Sequence, residues 1–280
     1  MHVTLCLDTP GRDKNILLPS ANLHLFQSML YSLLPAEVSA WLHDVGYESG
    51  GRRLKLFAIS WPDAAAAKLA DNNKLQFTAP VNITISTHKL DLALSFVSGA
   101  LNSDNLRIGN NPVICRQAKI ERQIVQGDKL IVNTLSPVSC YEKISLRGNP
   151  YTIYFKPEER EFKRFIHQNL IRKFKLIFPD KEVPGDEFNI KPIGELKERV
   201  SMFKDDSEFP IKGWWGKFKL EGANELLQIA LDCGIGARNS LCWGCLTKEE
   251  YININNNNKE SRQSQNESDS DNLRNEHSDK

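Results

Sequence analysis

The side chains in this chain that could carry chemistry are few and widely spaced. Six histidines are spread along the 280 residues. An imidazole titrates near neutrality and can take up or release a proton there. His2 reads as a strand start, His88 as a helix start, and His277 falls in a polar C-terminal stretch. His24 lies on an amphipathic helix and His167 on a basic one, which leaves His43, close to a glycine-rich loop, as a further candidate. The six cysteines, Cys6, Cys115, Cys140, Cys233, Cys242 and Cys245, are scattered across a chain long enough to fold without disulfides, which points to a reducing, cytoplasmic setting. Cys242 and Cys245 form a lone C-x-x-C. A zinc site would want a second cysteine pair or a histidine pair, and none is spaced for it. The adjacent acids Asp205 and Asp206 sit in a polar stretch and read as solvated, so no two-metal site is expected.

One segment is unusual. Gly234-Ile235-Gly236-Ala237-Arg238-Asn239-Ser240-Leu241-Cys242-Trp243-Gly244 combines glycines with polar and basic residues. Glycines of this kind let a backbone approach a phosphate closely, and equally let a helix end in a tight turn at positive φ. A dinucleotide fingerprint requires strand, then glycines, then helix. Here the order is reversed, and no G-K-[ST] follows to make a phosphate loop of the nucleotide-hydrolase kind. A second feature is the helix 160–175, where Arg160, Lys163, Arg164, Arg172, Lys173 and Lys175 stand against Glu161. Such a run is either a solvated face or a phosphate-tracking surface.

The elements that must position these groups follow from periodicity. Residues 2–7 and 81–87 alternate as strands, and Leu23, Phe26, Leu30, Leu33 and Leu34 fall at helical spacing over 21–34. Pro35 opens a shorter helix through Val38, Trp41 and Leu42, with Gly46 as its stop. A strand-like run from Leu54 ends near Trp61, 74–77 and 106–109 give short strands, and Leu90 to Leu101 give a strong helix. Residues 113–125 and 129–135 read as strands around a Gly127-Asp128 turn. Further strands are expected at 151–155, 188–193, 213–220 and 241–247. Helices are expected after Pro157, with Phe162, Phe165, Ile166, Leu170 and Phe174 on the apolar face, and through Ala223 to Ala230. Strands interleaved with about two helices in each half suit an α+β fold of two tandem ferredoxin-like units. The boundaries this gives are 1–112 and 113–250, divided near Asn110-Asn111-Pro112, followed by a disordered polar tail at 251–280.

Composition narrows the classes. Hydrophobic residues make up 40% and charged residues 25%, ordinary for a soluble globular chain. No apolar run reaches the roughly 18–20 residues that span a bilayer, and Met1-His2-Val3 opens no signal peptide. The tail carries more acid than base, which leaves residues 1–250 with 32 basic and 29 acidic side chains, a net charge of +3. A nucleic-acid partner would therefore be held by a local patch and not by the overall field.

The glycine segment, with Gly222-Ala223-Asn224-Glu225-Leu226-Leu227 leading into it, resembles the C-terminal signature of CRISPR-associated RAMP proteins. The family pattern is glycine, any residue, glycine, about five residues and a second glycine pair. Three of the four glycines are present, with Cys242 at the third. Asn133-Thr134-Leu135-Ser136-Pro137-Val138 is similar to the strand that opens the family's second domain. Trp41-Leu42-His43-Asp44, a glycine-rich loop and Lys55-Leu56-Phe57-Ala58-Ile59-Ser60 are similar to the N-terminal catalytic region of the endoribonucleases that cut the CRISPR precursor transcript inside its repeats.

That resemblance implies RNA cleavage without metal or other cofactor. The ribose 2′-hydroxyl attacks the adjacent phosphate, leaving 2′,3′-cyclic phosphate and 5′-hydroxyl ends, with the product held afterwards as a further option. Such chemistry needs a base, an acid and a cation beside the pentavalent phosphate. It implies His43 as base or acid, Tyr31 as the group orienting the hydroxyl, and Lys55 as the cation, with Arg52 and Arg53 as rivals. RNA binding is implied for Gly234, Gly236, Arg238, Asn239, Ser240 and Gly244, and the basic helix offers Arg160, Lys163 and Arg164 as a second surface. The implied partners are CRISPR repeat RNA and other CRISPR effector subunits, with no membrane, for a monomer or homodimer. The alternative is a non-catalytic RAMP subunit that binds CRISPR RNA as a scaffold. His43 with Lys55 separates the two, since a scaffold needs no such pair.

Overall fold

The computed structural model describes residues 1–69, 74–146, 148–185, 187–204 and 210–249. The expected tail and Asp205-Asp206 lie outside the described residues. Two four-stranded antiparallel sheets carry the fold. In the first, the strand order is Ile114–Glu121, His2–Asp8, Val81–Thr87 and Phe57–Ile59. Val3, Leu5 and Leu7 are fully buried, as are Val81, Ile83 and Ile85, so the period-2 alternation of both strands presents one apolar face to the core. Helices α1 (Leu23–Ser32) and α3 (Leu90–Asn102) close that core with Phe26, Leu30, Ala93 and Phe96. A shorter helix, α2 (Ala36–Asp44), begins directly after Pro35, whose fixed φ suits a helix start.

The second sheet runs Asn189–Ser201, Ile211–Glu221, Lys129–Thr134 and Leu246–Lys248. Helices α4 (Arg160–Ile177) and α5 (Asn224–Cys233) supply its core: Phe162, Ile166, Leu170 and Phe174 from one, Leu226, Leu227 and Ala230 from the other, packed with Phe218 and Leu220. Each of these Phe, Leu and Ile side chains contributes about 1.5–3 kcal/mol on full burial. The architecture is α+β with tandem ferredoxin-like sheets, as the interleaving predicts.

Three local expectations are corrected. Residues 114–121 and 129–134 do not pair around Gly127-Asp128. The first pairs with His2–Asp8 and the second with Ile211–Glu221 and Leu246–Lys248, so residues 122–128 link the two sheets. The first sheet thus takes an edge strand from beyond residue 112. The run 54–61 is also broken. Arg52–Leu54 forms a hairpin with Tyr47–Ser49, Leu56 turns at φ 54°, and Phe57–Ile59 joins the first sheet. Finally, the expected strand 241–247 starts only at Leu246, because Asn239–Leu241 forms a short 3-10 turn. Among the described residues no helix is long and apolar enough to cross a membrane.

Candidate active site and RNA-binding loop

The glycine segment begins where α5 ends. Gly234 takes φ 72°, Gly236 74° and Gly244 72°, conformations that side chains rarely tolerate. Space decides as much as φ. A Cβ on Gly244 would meet the Ile235 carbonyl oxygen at 1.9 Å, and one on Gly236 would meet the Ser139 oxygen at 2.5 Å. Arg238 and Cys242 also lie in the left-handed region, at φ 62° and 65°, so the backbone at Cys242 turns as a glycine would. The loop is closed by Ile235 N–H donating to Gly244 O (2.9 Å), Ala237 N–H to Ser139 O (2.7 Å) and Gly244 N–H to Pro137 O (2.9 Å).

Two side chains lock it from within. The Asn239 amide donates to the carbonyls of Ile235 (2.9 Å) and Trp243 (3.0 Å), and its oxygen accepts from Lys173 (2.8 Å). The Lys173 ammonium also donates to Cys233 O (2.9 Å) and Gly234 O (2.8 Å). Lys173 is only 1% exposed. It is therefore not part of the charged surface of α4, where the basic run placed it, and burial lowers its pKa to about 8.

The loop docks on α1. Gln27 donates to the Ser240 carbonyl (2.8 Å), and the Ser240 side chain hydrogen-bonds with Tyr31. Burial pushes the Tyr31 phenol up to about 12, only partly offset by Ser240. The phenol therefore keeps its proton at neutral pH and serves as a donor, not a base. Tyr31 meets His43 edge-on, their ring centroids 6.2 Å apart. His43, at the C-terminal end of α2, is 74% exposed, and its Nδ1 lies 2.6 Å from the Asp44 carboxylate. A carboxylate only accepts, so Nδ1 is the donor in this bond and Nε2 is the ring nitrogen that remains for chemistry. Tyr31 and His43 line a cleft of about 580 Å³ with Gln27, Ser28, Ser32 and Asp44.

The cations stand beside it. Lys55 donates to the Leu42 and His43 carbonyls, the latter at 2.9 Å, and Arg53 donates to Asp44 O (2.7 Å). Both thereby cap the end of α2 that carries His43. Partial burial, then the neighbouring Arg53, lower the Lys55 pKa. Arg52, Arg53, Lys55, Arg238 and Ser240 share a second cavity of about 300 Å³. Arg160, Lys163 and Arg164 are not brought to this place. They line a separate cavity with Lys129, His167 and Asn189. Sequence reasoning missed Gln27, placed Lys173 on the basic surface of α4 and quoted Asp44 without a role. Lys173 had a signal: it lies three residues after Leu170 and seven after Ile166, on the buried face of α4.

Two antiparallel ferredoxin-like sheets carry a glycine-rich loop that runs from α5 into the last strand, and this second half of the chain is the part that a family model matches. The chain matches, over residues 119–248 and so just under half of its length, the family model described as CRISPR associated protein Cas6, C-terminal. It is 26% identical over 172 residues to CRISPR-associated endoribonuclease Cas6 1 of Methanocaldococcus jannaschii, a match covering 61% of this chain and 65%, just under two thirds, of that protein. It is 22% identical over 255 residues to CRISPR-associated endoribonuclease Cas6 of Pyrococcus furiosus, covering 89% of this chain and 90% of the relative. A solved structure of a Cas6-related protein from Pyrococcus furiosus shares the fold, with a TM-score of 0.74 and 16% identity over 90% of this chain and 99% of that one.

Proposed function

We propose that this protein is an endoribonuclease that cleaves CRISPR precursor RNA within its repeats. The cut is metal-independent and runs through the ribose 2′-hydroxyl, giving 2′,3′-cyclic phosphate and 5′-hydroxyl ends. The observation that carries this reading is the juxtaposition of His43, with its Nδ1 held by Asp44, and the protonated Tyr31 phenol, one serine away from a cleft lined by Arg52, Arg53, Lys55 and Arg238. The names of the two relatives support it.

In this mechanism His43 Nε2 takes the proton from the attacking 2′-hydroxyl, or returns one to the leaving 5′-oxygen. Tyr31 donates a hydrogen bond that orients the reacting groups. The cations offset the charge that builds on the phosphate, with Lys55 acting as well through its hold on the His43 carbonyl. Gly234, Gly236, Gly244 and Asn239 shape the loop that presents Arg238 and Ser240 to the RNA. Arg160, Lys163 and Arg164 form a second, separate phosphate surface. The same phosphate contacts would retain the product and could pass it to effector subunits.

The test is incubation of labelled repeat RNA with the protein in EDTA. A discrete cut with a cyclic-phosphate end is expected, and strict dependence on Mg²⁺ would overturn the mechanism. Arg238→Ala is expected to weaken RNA binding and to lower the slope of log affinity against log salt by about 1, the loss of one phosphate contact. A salt titration with unchanged affinity and slope would leave Arg238 outside the interface.

A further inference from the structure

A cavity of about 580 Å³ lies beside the glycine loop, between the hairpin Tyr141–Leu146/Asn149–Tyr154 and the strand Ile211–Glu221, and the cleavage reading does not use it. Its walls combine aromatic rings with cations. Tyr141 pairs with Tyr154 across the hairpin and Lys143 with Thr152, so these four side chains share one face. Trp214 joins them from the second sheet. The polar tips of the two principal rings are already held: Tyr154 Oη donates to Pro210 O (3.0 Å) and Trp214 Nε1 to Phe155 O (3.1 Å). Both residues are half-buried, and the bonds fix their rings at the cavity wall.

The charge around the rings is lopsided. Lys143, Lys156, Lys212 and Arg238 line the cavity, against Glu198, which lies 3.6 Å from Lys212. Arg238 is the link to the active site. It lines both this cavity and the basic cleft of Lys55, its guanidinium lies 5.2 Å from the Tyr141 ring centroid, and its buried Nε lacks a hydrogen-bond partner. Fixed aromatic faces ringed by cations are the arrangement that holds an unpaired nucleotide: the base stacks, the phosphate is neutralised, and sequence matters little.

We propose that this cavity receives one unpaired nucleotide of the substrate RNA flanking the cut, its base stacked on Tyr154 and Trp214 and its phosphate held by Arg238 and Lys143. The proposal rests on the reading of the protein as a repeat-RNA nuclease and adds a specific subsite to it. The RNA then runs from the His43 cleft across Arg238 into the aromatic cavity, which sets the register of the cut.

The test uses the full chain and repeat RNA made uncleavable by a single 2′-deoxy ribose, with an abasic nucleotide placed at successive positions beside the cut. Wild-type protein is expected to lose roughly 5- to 100-fold in affinity at one position. Tyr154→Leu is expected to lose a similar factor with intact RNA and to lose nothing further with the abasic RNA at that position. Additive losses at every position, or no loss in Tyr154→Leu, would overturn the site. Should Tyr154→Leu fail to fold, the exposed Lys143→Glu decides: a roughly tenfold weaker complex with a reduced salt slope is expected, and unchanged binding overturns the proposal. Wild-type protein that bound no repeat RNA would overturn the nuclease reading itself, and this subsite with it.

Discussion

Single-turnover cleavage of a CRISPR repeat RNA by the His43→Ala protein is expected to run roughly 10²–10⁴-fold slower than by the parent chain, the usual worth of a positioned general acid or base. Affinity for the uncleavable 2′-deoxy RNA should stay within about twofold, because phosphate-driven binding rests on the lysines and arginines around the cleft and not on this one ring. The fold should survive. His43 is 74% exposed at the end of α2 and buries no apolar surface that the core requires. Its loss leaves Asp44 in water and not stranded in the interior, since that carboxylate is 71% exposed. The measurement is a single-turnover time course with enzyme in excess, paired with a binding titration. A rate within about threefold of wild type would remove His43 from the mechanism. The assignment would then pass to His24, whose Nδ1 lies 3.1 Å from the Phe203 carbonyl oxygen.

The largest stability effect is expected at Lys173. Lys173→Met keeps most of the aliphatic stem but deletes the ammonium that serves Cys233 O, Gly234 O and the Asn239 side-chain oxygen. Each acceptor left buried without a partner costs about 1–3 kcal/mol. The Cys233 and Gly234 oxygens are buried and the Asn239 oxygen partly so, and together they amount to about 3 kcal/mol. For a chain of this size that lowers the thermal midpoint by roughly 6–12 °C. The damage should be concentrated in the loop, because two of the three acceptors are at its entrance and the third holds it closed through Ile235 and Trp243. RNA affinity should therefore fall together with the midpoint, although Lys173 itself is shielded from RNA. A midpoint within about 2 °C of wild type would show that the loop closes without this anchor.

Lys173 also illustrates what the sequence makes legible and what it hides. Six cations on one helix read as a charged surface, and most of them are exposed. One of them falls in the apolar stripe of α4, and only its partners, sixty or more residues downstream, explain why a charge is held there. The helices themselves were plain from their spacing. So was the glycine segment, because its positive-φ turns and close approaches tolerate few other residues. Strand partners were not. The alternation in 114–121 and 129–134 marks two half-buried strands but is silent about which neighbours they take, and proximity in sequence suggested a hairpin where the chain crosses between sheets. Tyr31 and His43 stand on different helices, and no periodicity reports that the turn at Leu33 to Pro35 folds their rings to 6.2 Å. Ser240 contacts Tyr31 from more than two hundred residues away. The candidate residues came from resemblance to a family, and their arrangement from tertiary structure alone.

The most direct test of the account is a pair of repeat RNAs that differ by one oxygen, the 2′-hydroxyl at the cut, each incubated with excess protein in EDTA. The account predicts that both bind with the same affinity, that the all-ribose RNA is cut at one position to a 2′,3′-cyclic phosphate, and that the 2′-deoxy RNA remains whole. Cleavage of the 2′-deoxy RNA at the same position would contradict it, because the nucleophile would then be something other than the neighbouring 2′-hydroxyl.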